Sequence, residues 1–225
     1  TVWRANGYTP VRISTHAIEH QISTYGTIGD AEAFAYQQGG HAFYVLNFPD
    51  ADRTWVYDVA TGLWHERSWH DSSGVQHRHR AACFTAFDGK LLAGDWENGR
   101  IYELDLATFT DNGDAIHRIR TSPHISNPDY KTMFWSSLQV DIEAGVGLST
   151  GQGSDPQAML QWSDDGGHTW SSEHWTGIGR IGQYRNRAIW RRLGRSRDRV
   201  FRLTITDPVP VRILGASAQV SVGAN

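Results

Sequence analysis

The chain has 225 residues, a mass of 25.2 kDa and a formal net charge of −3, with 39% hydrophobic residues, 12% aromatics and ten Trp. That is enough for one large or two small domains with a buried core, and it excludes a disordered tail. The single cysteine, Cys83, excludes a disulfide framework, and no apolar run approaches the roughly 18 residues that a membrane helix needs. The first residue is Thr1, which leaves open a preceding segment that has been cut away.

The small net charge conceals an asymmetry. Nineteen of the 21 basic residues are Arg, and ten of these lie between Arg180 and Arg212, against only Asp198 and Asp207. That stretch carries +8, so the remainder sums to −11.

In chain order, one helix is expected near the start, around Thr15 to Tyr25. His41–Phe48 then reads as a strand, stopped by Pro49-Asp50-Ala51-Asp52. Thr54–Tyr57 returns, and Asp58–Gly62 turns the chain into Leu63–Arg67. A similar unit follows: Ala81–Phe87, Asp88-Gly89, Lys90–Ala93, a Gly94–Gly99 turn segment and Arg100–Asp105. Asp88-Gly89 and Asn98-Gly99 are strong hairpin signals, because both residues in each pair adopt positive φ at low cost.

The two units superimpose. Gly40 with Gly89, and Tyr57-Asp58 with Tyr102-Glu103, are offset by 49 and 45 residues. A period of about 40–50 residues with four short strands describes a propeller blade. The expected fold class is therefore all-β, with propeller-like blades of short antiparallel hairpins; a sandwich of meandering hairpins is the alternative.

Beyond Pro123-His-Ile-Ser-Asn-Pro128 the texture changes. Phe134–Ile142 alternates cleanly, and Gly145–Pro156 reads as a long loop. Met159–Trp162 and Thr169-Trp170 bracket a hairpin, and Arg199–Thr206 and Val209–Leu214 are the last expected strands. This gives two domains: 1–128 as propeller-like hairpin blades, and 129–225 as a second, small β-sandwich-like domain or divergent blade.

The sharpest local motif is Ser163-Asp-Asp-Gly-Gly-His-Thr-Trp170, an Asp-box (S-x-D-x-G-x-T-W) complete at Ser163, Asp165, Gly167, Thr169 and Trp170. Physically it is a self-supporting hairpin turn: Asp165 accepts loop amides, Gly167 permits the unusual backbone and Trp170 packs beneath. The motif recurs in sialidases and other propellers, so a sialidase-like glycosidase is one alternative function. A glycan-binding module using exposed Trp such as Trp96 or Trp175 is another. Structural use of the turn is the stronger reading, since no carboxylate and Tyr set for glycoside chemistry stands out.

No catalytic residues, cofactor or metal site are assigned. His65, His70, His77 and His79 with Asp71 bring imidazoles together, but Arg78 separates the closest pair and no zinc-site spacing is present. They read as solvated loop histidines, and Cys83 as a buried small hydrophobe. The remaining feature is the Arg segment. Arg180, Arg185, Arg187, Arg191, Arg192, Arg195, Arg197 and Arg199 run with Tyr184 and Trp190 and contain no Lys. Planar guanidiniums suit phosphate or carboxylate, so the candidates are a DNA-facing surface, a subunit interface, or solvated strand faces.

Several phrases together resemble a known family. They are Gly7–Thr15 with Ala17-Ile-Glu19, Asp30-Ala31 leading to Tyr36 and Gly40–Pro49, and Thr54–Arg67; Ser163–Trp170 and Trp190–Phe201 complete the set. They are similar to the packaged-DNA-stabilisation proteins of short-tailed phages, tail hub or nozzle components. The resemblance implies a non-enzymatic virion protein and a longer parent chain of which this is the C-terminal part. It also implies assembly into a ring of copies, six in the full-length protein, beneath a portal and adaptor. The ring extends the DNA channel, helps retain the genome and carries the tail needle or spikes. Non-specific double-stranded DNA is a further expected partner, and a membrane is not.

Overall fold

The structure, a computed structural model, describes residues 1–224. It opens on an exposed hairpin, β1 (Trp3–Asn6) with β2 (Thr9–Arg12), whose turn passes through Gly7 at φ +60°. Helix α1 (His16–Ser23) follows within the expected span. Thr15 begins it as an N-cap, its hydroxyl accepting from the Ile18 amide. Glu19 in the first turn accepts from Arg12 and Ser14, which hold its carboxyl down at about 2.

Two antiparallel meanders complete the first unit, Thr1–Thr108. The first contains β3 (Glu32–Gln38), β4 (His41–Phe48), β5 (Arg53–Asp58), β6 (Leu63–His70) and β7 (Gln76–Arg78), hydrogen-bonded in that order. The second contains β8 (Ala81–Phe87), β9 (Lys90–Asp95) and β10 (Ile101–Glu103). The sequence repeat is visible in this scheme: Gly40 and Gly89 sit in the β3–β4 and β8–β9 turns, and Tyr57 and Tyr102 lie on β5 and β10. The sheets meet through aromatic side chains, with Phe84 stacked 6.2 Å from Phe34 and 5.4 Å from Tyr36. Val45, Val56 and Tyr36 form the buried centre.

A chain of polar groups runs through the interior of this unit. Buried Thr54 donates to Asn47 at 2.7 Å, Asn47 donates to the Ala81 carbonyl at 2.9 Å, and the His79 amide donates to Thr54 at 3.0 Å. This chain ties the first sheet to the start of the second. Cys83 corrects the expectation of burial: it is exposed, because Phe84 beside it takes the face packed on Phe34 and Tyr36 and alternation puts Cys83 on the other.

The second unit, Phe109–Asn225, begins with β11 (Thr110–Asp111), β12 (Asp114–Ala115), β13 (Arg118–Thr121) and β14 (Ile125–Ser126). It continues with β15 (Met133–Ile142), β16 (Gln157–Ser163), β17 (His174–Gly177) and β18 (Ala188–Arg191). The last strands are β19 (Arg195–Ser196), β20 (Asp198–Ile205) and β21 (Ile213–Val222). One sheet runs β13-β20-β16-β17, with β14 also on β20; the other builds β18, β19 and β21 onto β15. Trp135, Leu138 and Val140 of β15 and Trp190 of β18 pack against Leu160 of β16 and Phe201, Leu203 and Ile205 of β20. That is a sandwich core.

Three boundaries differ from the sequence reading. Strands β13 and β14 pair with β20, so residues 118–126 belong to the second unit and the boundary expected near 128 moves upstream to 108/109. Thr169-Trp170 completes the turn rather than a strand, and the returning strand is β17. Val209–Leu214 is mostly loop, since Pro208 and Pro210 withhold ladder donors. Its last two residues start β21, which runs on through Gly, Ala and Ser and carries too little β-branched signal to be noticed.

Candidate functional site

The Asp-box closes the β16 end into a hydrogen-bonded knot. The Ser163 hydroxyl donates to Asp165 at 2.6 Å and accepts from the Gly167 amide at 2.8 Å. Asp165 accepts from the Thr169 amide at 2.9 and 3.0 Å and from its hydroxyl at 2.6 Å. These bonds, Ser163 and Thr169 first, hold the Asp165 carboxyl far below the usual range. Trp170 donates its indole N–H to the Gly167 carbonyl at 3.0 Å, and Arg202 stacks on its other side, 3.6 Å from the ring centroid. Gly167 sits at φ +99°, which a side chain would strain.

The neighbouring carboxylate, Asp164, has a different partner. It grips Arg199 through two parallel bonds, Nε–Oδ1 at 2.6 Å and Nη2–Oδ2 at 2.7 Å. Arg199 is the largest fully buried side chain of the described residues. Its guanidinium also donates to the Leu193 carbonyl at 2.6 Å and lies 5.3–5.8 Å from the rings of Trp162, Trp135 and Phe201. Arg199 is therefore a core anchor. It leaves the candidate DNA-channel or subunit-interface set for a physical reason: no external partner can reach it.

The rest of the Arg segment divides by location. Arg180 is exposed but paired with Asp155 at 2.6 Å, and Arg212 pairs with Glu143. Arg185 and Arg187 are exposed on the 178–187 loop, without an ion pair among the described residues. Arg191, Arg192, Arg195 and Arg197 are exposed along the turn from β18 to β20. That turn follows β15: Arg191 pairs with Ser137, the Arg192 amide donates to the Ser136 carbonyl, and Arg195 pairs with Phe134. Arg192 has φ +59°, an uncommon backbone for a residue with a side chain, so the turn that carries these exposed arginines is constrained. None of these four forms an ion pair among the described residues.

The loop before it is equally fixed. The Gln183 amide donates to the Arg180 carbonyl at 2.9 Å, and Gln183 accepts from the Arg180 amide at 3.1 Å. Asn186 donates to the Gly177 carbonyl at 2.6 Å. The Tyr184 ring lies so close over Gly145 that a Cβ there would fall 2.6 Å from it. In the chain Tyr184 only interleaves with Arg; the fold reveals it as an exposed aromatic seated on Gly145.

In the first unit the histidines split as well. His77 is clamped by Asp52 at 2.8 Å and faces Asp71 at 3.6 Å, which raises its pKa. His79, two residues on, is pushed down to about 4 by burial and by Arg67 and Arg80, against the opposing pull of Asp95. Among the described residues no three His, Cys, Asp or Glu side chains are placed to hold a metal ion.

Comparison with known families decides what this arrangement belongs to. Residues 1–109 match a family model described as Bacteriophage P22 Gp10, beta-propeller, and residues 117–221 one described as Bacteriophage P22 Gp10, beta-sandwich. The chain belongs to the P22 Gp10 family. Its blade-like meanders are the propeller part and its two facing sheets the sandwich part of this phage tail and stabilisation family. No curated protein sequence matches it significantly. Among solved structures it is similar to a glycoside hydrolase family 43 arabinoxylan arabinofuranohydrolase from Bacillus subtilis, at 13% identity and a TM-score of 0.28. That alignment covers 86% of this chain and 42% of the hydrolase. So low a score carries no argument for glycoside chemistry in this Gp10-family chain.

Proposed function

We propose that this chain is a non-enzymatic tail component that assembles in several copies around the path of packaged DNA. The full-length protein forms a ring, of six copies on the family resemblance, between the portal and adaptor and the tail needle or spikes. It acts in the virion after assembly in the host cytoplasm. The observation that carries this reading is the ordered match of both units to the two P22 Gp10 domains. Consistent with it, the Asp-box offers no pair of carboxylates for glycoside hydrolysis, since Asp165 is consumed by the turn and Asp164 by Arg199. Trp96 is likewise covered by the Arg78 guanidinium at 4.4 Å.

Within that role, Arg191, Arg192, Arg195 and Arg197 are assigned to the phosphate backbone of duplex DNA. They are exposed, free of carboxylates and held on one constrained turn, the requirements for charge neutralisation without sequence readout. Fluorescence anisotropy with a labelled duplex of about 30 base pairs, titrated with salt, tests the assignment. Arg191→Ala with Arg192→Ala is expected to flatten the slope of log K against log salt by about 1.8. An unchanged slope, or no duplex binding by the unaltered chain, removes DNA from these residues.

A further inference from the structure

The Arg-rich segment contains a second surface of different character. In the 178–187 loop, the exposed Arg180, Arg185 and Arg187 flank two exposed apolar side chains, Ile181 and Tyr184, along the chain. The 191–197 turn has no such apolar centre. An apolar centre inside a charged rim describes a protein contact better than a phosphate contact. Use of Arg without Lys points the same way, because Arg is enriched and Lys depleted at protein interfaces. The loop is also preorganised by Gln183, Asn186 and the seating of Tyr184 on Gly145, so little ordering is left to a binding event.

The same chain carries a surface of matching form and opposite sign. Residues 1–108 hold eight Lys and Arg against thirteen Asp and Glu, a net charge of −5, whereas the second unit carries +2. Strand register places Asp88, in the β8–β9 turn, at the same end of its sheet as Glu103 and Asp105, where β10 leaves. All three are exposed, and Glu103 is paired with Lys90 at 2.9 Å. Phe87, which pairs with Lys90, and Leu106, next in the chain after Asp105, are more than two thirds exposed.

From these two surfaces we infer that the basic loop at Ile181, Tyr184, Arg185 and Arg187 docks on the acidic tip at Phe87, Asp88, Glu103 and Asp105 of a second copy of this chain. The contact is heterologous, joining different patches on the two copies, so repetition propagates it around a ring or along a helix. The inference rests on the proposed assembly of several copies and identifies the surfaces that make it. Opposite charge steers the encounter, and the apolar pairs Ile181–Tyr184 and Phe87–Leu106 supply the desolvated centre.

Charge exchange tests this pairing by sedimentation velocity on the 225-residue chain, with circular dichroism of each variant as a fold control. One variant carries Arg185→Glu and Arg187→Glu; the other carries Glu103→Arg and Asp105→Arg. The unaltered chain is expected to associate with concentration at low salt, and each variant to weaken that by at least tenfold. An equimolar mixture of the two variants is expected to associate again, because every contact in it is complementary. Tyr184→Ala, which leaves all charges in place, is expected to weaken association independently.

A chain that stays monomeric at low salt overturns both the assembly reading and this inference. Association that neither charge variant nor Tyr184→Ala disturbs leaves the assembly reading standing and overturns the inference. Weakening by both variants without recovery in the mixture also overturns it, since the two surfaces then do not face one another.

Discussion

Asp164 and Arg199, 35 residues apart in sequence, form a bidentate ion pair that ties the Asp-box turn to the interior of the sandwich. The Arg199 side chain is 1% exposed, while Asp164 remains 43% exposed. The two members are therefore not equivalent. Removing Asp164 leaves a buried guanidinium that keeps its bond to the Leu193 carbonyl and is opened to solvent on the side that Asp164 covered. Removing Arg199 empties a site framed by three aromatic rings. Arg199→Ala is expected to cost on the order of 3 kcal/mol, and Asp164→Ala clearly less, by urea unfolding. Equal losses would mean that the charge pair alone, and not the packing of the guanidinium, sets the contribution.

The Asp-box turn depends on an ionised Asp165. Its carboxyl is held far below the usual range by bonds from Ser163 and Thr169, so the unfolded chain takes up a proton before the folded one does. Stability from this group is complete above the unfolded value near 3.9 and is lost as pH falls toward the depressed folded value. Asp165→Asn removes that dependence. The variant is expected to melt below the unaltered chain at pH 7, with the gap narrowing progressively below pH 4. A constant gap would assign the loss to shape rather than charge.

The residues of this turn were legible in the sequence because every bond in it is local, spanning at most four residues. The blade-like repeat was legible for the same reason: Gly40 and Gly89 announce turns that neighbouring residues complete. What sequence could not reveal is the use made of each arginine. Arg199 and Arg197 look alike in a string, yet Asp164 lies 35 positions from one and, among the described residues, no carboxylate pairs with the other. Strand β21 was missed through its small residues, and Tyr184 because its seat, Gly145, is 39 positions away.

Cys83 offers a direct check of the β8 edge. It is exposed on a strand whose far side carries no hydrogen-bonded neighbour. A thiol reagent is expected to label it in the native protein within a fewfold of the rate in denaturant. Strong protection would show that β8 is covered by another surface in solution.

His77, on β7, and His79, just past its end, give the first unit two pH dependences of opposite sign. The Asp52 bond and charge raise the His77 pKa, with Asp71 adding to them. Its contribution is therefore complete below about 6.5 and fades as pH rises through the raised folded value. His79 is buried neutral near Arg67 and Arg80, with a pKa of about 4. Its contribution is present above about 6.5 and is lost as pH falls toward 4, on the order of 3 kcal/mol in all. Thermal melts from pH 4 to 8 separate the two. His79→Gln is expected to flatten the acid side of the profile and leave the alkaline side unchanged. His77→Asn is expected to lower stability most at pH 6 and least at pH 8, and the reverse order would mean that its clamp between Asp52 and Asp71 does not hold a charged imidazole.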